Sequence, residues 1–343
     1  MDQEKTPMEN TGSKIMRKSI FTFLQNYQYF TSTPALLAFP FSASVLLANL
    51  LLLSSSSSSL LPVVYNRLNS LFHAAGLIHP PSSELFNLVT LKLSQTISFH
   101  ILTLPFTLTF FLITKASVIQ ALKTNHQKPP SPNFFCIFSI FNPLLLTHVC
   151  NSLLILSANS TAFCLLFFTF NLFHDNIGFG LHLFLSAAGA VAYSIILAHA
   201  IIICNLALVL SGMERIGGYL AILKACVVIR GRASTALSLT VAVNIALAGV
   251  EALFQYRIGR AYHHHKGESE TPSSNLLIIS EGMLIVYLYS ILVVLDTIVS
   301  CIFFKSCKPT YSTCIDQQSK YTYRINEIEE DVENGGYKMS LKV

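Results

Sequence analysis

Ionisable side chains inside long apolar runs are the residues of this chain best suited to chemistry. A charge near the middle of a membrane costs roughly a few kcal/mol or more, so each such residue suggests a functional site. The set comprises His100, His148, His199, Glu251, Glu281 and Asp296. The functional interpretation that suits them is proton or cation handling, since no nucleophile motif accompanies them.

A polar seam through the last three apolar runs is one interpretation of these residues. Its candidate members are His199, Asn244, Glu251, Glu281 and Asp296, with Asn205 as a second amide. Such a seam would suit a proton- or cation-coupled pathway, with Glu251 and Glu281 in one aqueous vestibule. The alternative is structural: the carboxylates pair with buried histidines, with asparagines or with Arg257 and lock the helices together.

Familiar catalytic and metal-binding motifs do not occur in the sequence. Gly-x-Ser-x-Gly, His-Glu-x-x-His and Gly-x-x-x-x-Gly-Lys are all missing. Glu281 and Asp296 are 15 residues apart, roughly four helical turns, which is too far for paired acid–base work. The histidines at 263–265 are more typical of a solvated loop than of a metal site. We therefore predict no catalytic residue, no cofactor, no metal site and no enzymatic activity.

Residues 211–232 connect two long apolar runs and carry four basic side chains: Arg215, Lys224, Arg230 and Arg232. Apolar residues at helical spacing in this stretch are compatible with a helix in the membrane interface whose charges reach lipid phosphates, although Arg215 and Lys224 fall on opposite sides of the helical wheel. The four basic residues are therefore candidate contacts to lipid headgroups. The alternative is a purely structural connector. Gly217, Gly218 and Gly231 permit bends at its two ends.

Composition identifies the elements that must position these residues as membrane-spanning helices. The chain has 343 residues and only 11% charged residues, less than half of the about 25% typical of soluble domains. Its apolar runs reach about 20 residues, enough to cross a hydrocarbon core of about 30 Å. We therefore predict an all-helical, polytopic membrane protein. Six spans are expected at about residues 35–53, 96–118, 145–172, 181–210, 233–256 and 276–304.

Three regions follow from this pattern. They are a basic amphipathic cytosolic segment (1–33), the six-span domain (34–304) and a disordered cytosolic tail (305–343). Thr33 and Pro34 are typical of an N-cap and a first helical position, so span 1 is expected to begin at Ala35. Lys115, near the end of span 2, is expected to extend its ammonium to the interface.

The third apolar region, residues 138–173, has two interpretations. We favour one span at about residues 145–172, preceded by an interfacial segment that breaks at Pro143. A tight hairpin of two helices, giving seven spans, is the alternative. Asn159 begins an N-glycosylation acceptor pattern, which a single span would keep inside the membrane.

Charge asymmetry predicts the orientation of the chain. With six spans, the N-terminus, the second and fourth loops and the C-terminus together carry 17 of the 22 Lys and Arg residues, when Lys115 near the end of span 2 is counted with the second loop. The positive-inside rule therefore places both termini in the cytosol. The formal net charge of +5 does not indicate nucleic-acid binding, because the basic residues lie beside apolar runs, where anionic headgroups would meet them.

The 8 cysteines do not form a recognisable framework. No Cys-x-x-Cys pair occurs, and most of the cysteines lie inside apolar runs, which argues against disulfides or a zinc site. Burial as small apolar side chains is the simpler interpretation. S-acylation near the interface is the alternative for Cys226, Cys301 and Cys307.

Several segments resemble a family of uncharacterised six-span membrane proteins from land plants. They are residues 104–110 (LPFTLTF), 204–208 (CNLAL), 213–219 (MERIGGY), 229–232 (IRGR), 251–257 (EALFQYR) and 294–297 (VLDT). The resemblance covers about residues 30–310 and implies the same membrane topology. It implies no substrate and no catalytic residue.

These patterns favour a non-enzymatic protein of the plasma membrane or an endomembrane. We expect it to organise lipids or partners through its basic cytosolic elements. The expected partners are the lipid bilayer, anionic lipids or cytosolic proteins, and no nucleic acid. The alternative function is transport of a small solute or an ion through the polar seam of spans 4–6.

Overall fold

Helices provide the regular structure of this chain. The computed structural model describes residues 9–53, 60–74, 83–123, 134–173, 179–260 and 277–307, and no strand occurs within these ranges. The helices are α1 (Glu9–Gln25), α2 (Tyr27–Leu53), α3 (Leu60–Ala74), α4 (Ser83–Phe106), α5 (Leu112–Lys123), α6 (Phe134–Phe173), α7 (Phe179–Glu214), α8 (Tyr219–Ile229), α9 (Ala233–Phe254) and α10 (Leu277–Cys307). Two π-helical segments join α4 to α5 (Thr107–Phe111) and extend α9 (Gln255–Gly259).

Six helical segments are long and apolar enough to cross a membrane. They cover Tyr27–Leu52, Thr90–Lys123, Ile137–Thr161, Ala187–Glu214, Ala233–Gly259 and Leu277–Cys307. The predicted fold class, an all-helical protein with six such segments, is confirmed. Three shorter helices pack against them, α1 on α9, α3 on α4 and α8 on α7. The predicted tail, residues 305–343, lies almost entirely outside the described residues, as does the acidic run within it.

α2 begins earlier than the sequence indicates. It starts at Tyr27, so Pro34 lies inside the helix, and the prediction that Thr33 and Pro34 begin span 1 is wrong. The Asn26 carbonyl starts the helix by accepting a hydrogen bond from the Phe30 backbone N–H at 3.1 Å. Pro34 has no backbone N–H, so the helix lacks only the hydrogen bond that residue 34 would donate to the Phe30 carbonyl. The helix continues past this missing bond.

α6 is one continuous helix that includes Pro143. The predicted break at Pro143 is therefore wrong, and the alternative of a two-helix hairpin is excluded. Polar groups in its middle are satisfied in two ways: the Asn151 amide donates to the Cys204 carbonyl of α7 at 2.8 Å, and three hydroxyls bond within the helix. Hydroxyls of Ser152, Ser157 and Thr161 donate to backbone carbonyls three or four residues earlier, at 2.8–3.0 Å. Because these groups bond internally, they do not interrupt the helix.

Three helices end on the same side of the bundle, and basic side chains from neighbouring elements cap them. The bonds run from Lys305 Nζ to the Leu122 carbonyl (2.7 Å), from Lys123 Nζ to the Met213 carbonyl (3.0 Å) and from an Arg232 guanidinium nitrogen to the Ser306 carbonyl (3.1 Å). Last-turn carbonyls have no hydrogen-bond donor in their own helix and carry partial negative charge. A basic side chain supplies both the missing donor and an opposite charge. We name this side, where α5, α7 and α10 end, the basic end.

α5 occupies the centre of the bundle. Leu112 and all residues from 114 to 119 are buried, and α2, α6 and α7 pack against it. A large apolar cluster toward the basic end joins α5 to four later helices, α7, α8, α9 and α10. Ile119 and Ile298 are fully enclosed in this cluster. A smaller cluster around Val45 joins α2, α9 and α10. Between residues 114 and 119, side chains on every side of α5 therefore point into protein.

The connection from α7 to α8 turns sharply against α6. Arg215 has φ +57° and Gly218 has φ +75°, in the left-handed region that L-residues rarely adopt. The Gly218 N–H donates to Thr147 Oγ1 on α6 at 2.9 Å. A Cβ on Gly217 would stand 3.0 Å from Pro143 Cα, so glycine permits this close approach to α6.

We predict that Gly218→Ala destabilises the protein by about 1–3 kcal/mol, because an added Cβ strains the backbone at this φ. The Cβ would also lie 3.3 Å from the Leu146 side chain. Thermal unfolding in detergent micelles measures the effect. Gly249→Ala on α9 is the matched control, since its Cβ would meet nothing within 4 Å. Equal melting temperatures for the Gly218→Ala variant and the wild type would contradict this account of the turn.

Candidate functional site: a buried lysine and its carboxylate

Lys115 on α5 is enclosed by the bundle. Its exposed fraction is 1%, and its helical neighbours are buried as well, so the ammonium does not reach the interface. The prediction that Lys115 extends to the interface is therefore wrong. Its Nζ lies 4.7 Å from the centre of the Phe111 ring, one turn earlier. The negative face of an aromatic ring attracts a cation, and more strongly where water is excluded.

Asp296 on α10 supplies the opposite charge. It lies within electrostatic range of Lys115. Within the described ranges, however, no contact of 4.0 Å or less joins the Lys115 ammonium to a carboxylate oxygen of Asp296. The two charges attract each other across a low-dielectric interior without forming a closed ion pair. The carboxylate thus keeps a side that Lys115 does not occupy.

A small cavity lies on that side, between α7, α9 and α10. Its polar lining consists of Asp296, Asn205, Thr240 and Ser300, and its apolar lining includes Leu206 and Phe303. The centre of a water molecule can reach about 20 Å³ of this cavity. The cavity therefore has room for a single water-sized ligand. A cavity of this size with four polar side chains is suited to one small polar ligand.

His148 on α6 borders the same ring as Lys115. The centres of the His148 and Phe111 rings are 6.4 Å apart, in an edge-on arrangement. His148 also lies within electrostatic range of Lys115. The charged centre therefore draws side chains from α5, α6 and α10, which are distant in sequence.

A second carboxylate, Glu251 on α9, is held by a tyrosine of α10. The Tyr289 hydroxyl donates to Glu251 Oε1 at 3.0 Å, and Tyr289 is buried. Tyr289 precedes Asp296 by two helical turns, so the two side chains share one face of α10, about 10 Å apart along its axis. This face carries polar groups from the middle of the membrane toward the basic end.

The structure brings together only part of the predicted seam. Asp296 lies on the polar face of α10, and Glu251 of α9 joins this face through its bond with Tyr289. Glu281 lies apart from them and approaches Arg257 at 4.0 Å, with more than half of each side chain exposed. An exposed ion pair of this kind contributes about 0–1 kcal/mol. It is the pairing that the structural interpretation expects for Glu281.

The two remaining seam residues lie on the outer surface of the bundle. His199 is exposed on α7, and its Nδ1–H donates to the Ile195 carbonyl of its own helix at 2.9 Å. It lines a broad apolar groove of about 360 Å³ with Val191 and Leu237. Asn244 is exposed on α9. Neither residue faces the cavity at Asp296.

Sequence reasoning missed the role of Lys115, the cation of this site. One signal was available: its neighbours Thr114, Ala116 and Ser117 are small, which suits close helix packing. Lys123, at the end of the same helix, already marks the interface. A lysine two turns further into the membrane is therefore a candidate for burial.

The four candidate headgroup contacts divide into two pairs. Lys224 forms an ion pair with Glu214, and Arg232 caps the end of α10, so both engage protein groups. Arg215 and Arg230 are exposed, one before and one after α8. α8 itself presents an outward apolar face made of Tyr219, Leu220, Leu223 and Val227, which are 46–63% exposed. Its other face packs on α7 and α6.

The three cysteines considered for acylation have different exposure. Cys226 is exposed on α8, whereas Cys301 and Cys307 are 0% and 2% exposed inside the bundle. Only Cys226 among them is accessible to a modifying enzyme in this structure. Partial burial raises the pKa of the Cys226 thiol, which lowers the fraction of the reactive thiolate near neutral pH.

Six apolar helical segments and a charge enclosed among them define a polytopic integral membrane protein. The family described as domain of unknown function DUF8558 matches residues 1–328, and the chain belongs to this family. No curated protein and no solved structure matches the chain. The family description names no source organism, so the land-plant origin stays a prediction.

We predict that removing the charges of Lys115 and Asp296 has non-additive effects on stability. Lys115→Met leaves a carboxylate without this cation and should lower the free energy of unfolding by about 3 kcal/mol. Combining Lys115→Met with Asp296→Asn should cost less than the sum of the single changes, because neither member of the charged pair remains. Unfolding in mixed micelles measures all three variants.

The control for this cycle is Lys92→Met, which removes an exposed lysine of α4. It should unfold like the wild type. Strict additivity of Lys115→Met and Asp296→Asn would show that the two charges do not interact.

Proposed function

We propose that this integral membrane protein is a non-enzymatic organiser that binds anionic lipid headgroups and protein partners at its basic end. The observation that carries the proposal is α8, an apolar helix of 11 residues between exposed Arg215 and Arg230. It follows the end of α7 and leads to Arg232 at the end of α10, so it stays at the basic end. An apolar face beside exposed cations is the arrangement that binds an anionic leaflet.

α1 supports the same proposal. It packs near Thr235, at the start of α9, and therefore lies at the basic end as well. α1 buries Ile15 and exposes Phe21 (65%) and Leu24 (59%). Basic residues at its start are exposed: Lys14, Arg17 and Lys18. Two interfacial helices would then anchor one side of the protein to one leaflet.

The basic end is proposed to face the cytosol, with both termini on that side. The positive-inside bias of the Lys and Arg residues supports this orientation. The cytosolic leaflets of the plasma membrane and of endomembranes carry anionic lipids, which would meet Arg215 and Arg230. Anionic lipids are therefore the first class of partner, and cytosolic proteins are the second.

We predict that replacing Arg215 and Arg230 together by Gln weakens the response to anionic lipid. Phosphatidylserine in phosphatidylcholine nanodiscs should raise the melting temperature of the wild type. The double variant should lose most of this rise, since each basic residue near a charged leaflet contributes about 1 kcal/mol. Thermal unfolding in the two kinds of nanodisc measures the difference.

Arg260→Gln is the matched control, because Arg260 is an exposed arginine beyond the opposite end of α9. It should retain the full rise. An unchanged rise in the double variant would contradict the proposal, as would an equal loss in the control.

A second candidate function is transport of an ion or a small solute, and the buried Lys115 favours it. Ionisable groups inside membrane bundles are costly, and they mark ion and proton pathways in many transporters. Asp296 and the bonded pair of Tyr289 and Glu251 extend the polar groups along α10. On this proposal, the polar face of α10 forms part of the pathway.

We predict that Asp296→Asn abolishes cation uptake by proteoliposomes while the protein remains folded, because a pathway built on this face loses its carboxylate. Tracer uptake is the measurement, and the elution profile in detergent checks the fold. Lys92→Met is the control and should transport like the wild type. Absence of uptake by folded wild-type protein would reject this second function.

A further inference from the structure

The geometry points to a binding site for one small monovalent cation, such as Na⁺, in the cavity between α7, α9 and α10. The cation would share the Asp296 carboxylate with the ammonium of Lys115. This inference deepens the proposed transport function, but the site itself can exist without flux.

Oxygen-bearing side chains from three helices line the cavity. Asp296 offers a carboxylate, Thr240 and Ser300 offer hydroxyls, and Asn205 offers an amide oxygen. The structure shows no hydrogen bond from the side chains of Asn205, Thr240 or Ser300 to another described residue. Their oxygen atoms are therefore available to a ligand. Hard cations without directional bonding prefer such oxygen donors.

The charges around the cavity select a monovalent ion. Protein sites for divalent hard cations typically combine several carboxylates with neutral oxygens. In the described chain this cavity has one carboxylate, Asp296, and the ammonium of Lys115 lies within electrostatic range of it. A divalent cation would be repelled more strongly by Lys115, and the described lining of the cavity has no second carboxylate to offset this repulsion. The volume, which holds one water-sized species, also excludes a cation that retains its hydration shell.

The position of Lys115 leaves the carboxylate open to a competitor. The ammonium lies over the Phe111 ring at 4.7 Å and makes no contact of 4.0 Å or less with Asp296 in the described ranges. A partly buried carboxylate without a close partner is unfavourable, and a cation in the cavity would relieve this. The aromatic contact gives the ammonium a place to remain while the cation occupies the carboxylate.

The test is thermal unfolding of the purified full-length protein in detergent, with NaCl against N-methyl-D-glucamine chloride at equal ionic strength. A ligand that binds the folded state raises its melting temperature as the ligand concentration rises. We expect a saturable rise with Na⁺ for the wild type. Lys115→Met should bind Na⁺ about tenfold more tightly or better, because it removes the nearby positive charge. Asp296→Asn should lose the Na⁺-dependent rise.

A second variant keeps the inference testable if Asp296→Asn does not fold. Thr240→Val combined with Ser300→Ala keeps the carboxylate and removes two oxygen ligands, so it should weaken Na⁺ binding. Lys92→Met is the control and should bind Na⁺ like the wild type. A purely structural ion pair would give no Na⁺ dependence, and Lys115→Met would then only lower the melting temperature.

Three results would overturn the site: no Na⁺-dependent rise in the wild type, an equal rise in Asp296→Asn, or weaker Na⁺ binding in Lys115→Met. The site and the transport function can fail separately. Na⁺ binding without uptake in proteoliposomes would uphold the site and reject transport. Uptake of another solute without Na⁺ binding would reject the site and leave transport standing.

Discussion

A positive charge enclosed within a membrane bundle must be stabilised by the protein itself, since neither water nor headgroups reach it. Here the charge is that of Lys115, and most of the architecture provides its surroundings. α5 lies at the centre, with α2, α6 and α7 packed around it. Phe111 supplies an aromatic face and α10 supplies the Asp296 carboxylate. Displacement of any of these helices would expose a charge to lipid. The packing of these helices and the burial of Lys115 therefore depend on each other.

Basic residues at one end of a membrane protein are usually understood as a signal for orientation during insertion. In this protein, Lys123, Arg232 and Lys305 also bond to the last carbonyls of three helices. The residues that would direct insertion thus stabilise the helix ends after folding. Lys224 is occupied by Glu214, so the exposed cations beside α8 are Arg215 and Arg230. A count of charges in the sequence does not distinguish basic residues that cap helices from basic residues that are exposed to lipid headgroups.

The class of the protein and its six apolar helices could be predicted because the thickness of a bilayer sets the length of each apolar run. Helix boundaries at Pro34 and Pro143 could not, since proline is a local signal. Inside a membrane, ending a helix leaves several backbone groups without hydrogen bonds. The free-energy cost of this is larger than that of the single hydrogen bond that a proline removes. Asp296 and Glu251 were recognisable as charges within apolar runs. Their partners, Lys115 and Tyr289, were not, because these pairings depend on how the helices rotate against one another.

The π-helical segment at Thr107–Phe111 determines the direction in which Lys115 points. Each α-helical residue advances the chain by about 100°, and a π turn holds an additional residue, so everything after it is rotated relative to the helix before it. Loss of a single residue between Pro105 and Leu112 would turn Lys115 toward a different neighbour. Neither the hydropathy nor the length of this span would change noticeably, so insertion would proceed normally. Among related chains, one-residue gaps at this point would therefore separate those that can assemble the charged centre from those that only share its topology.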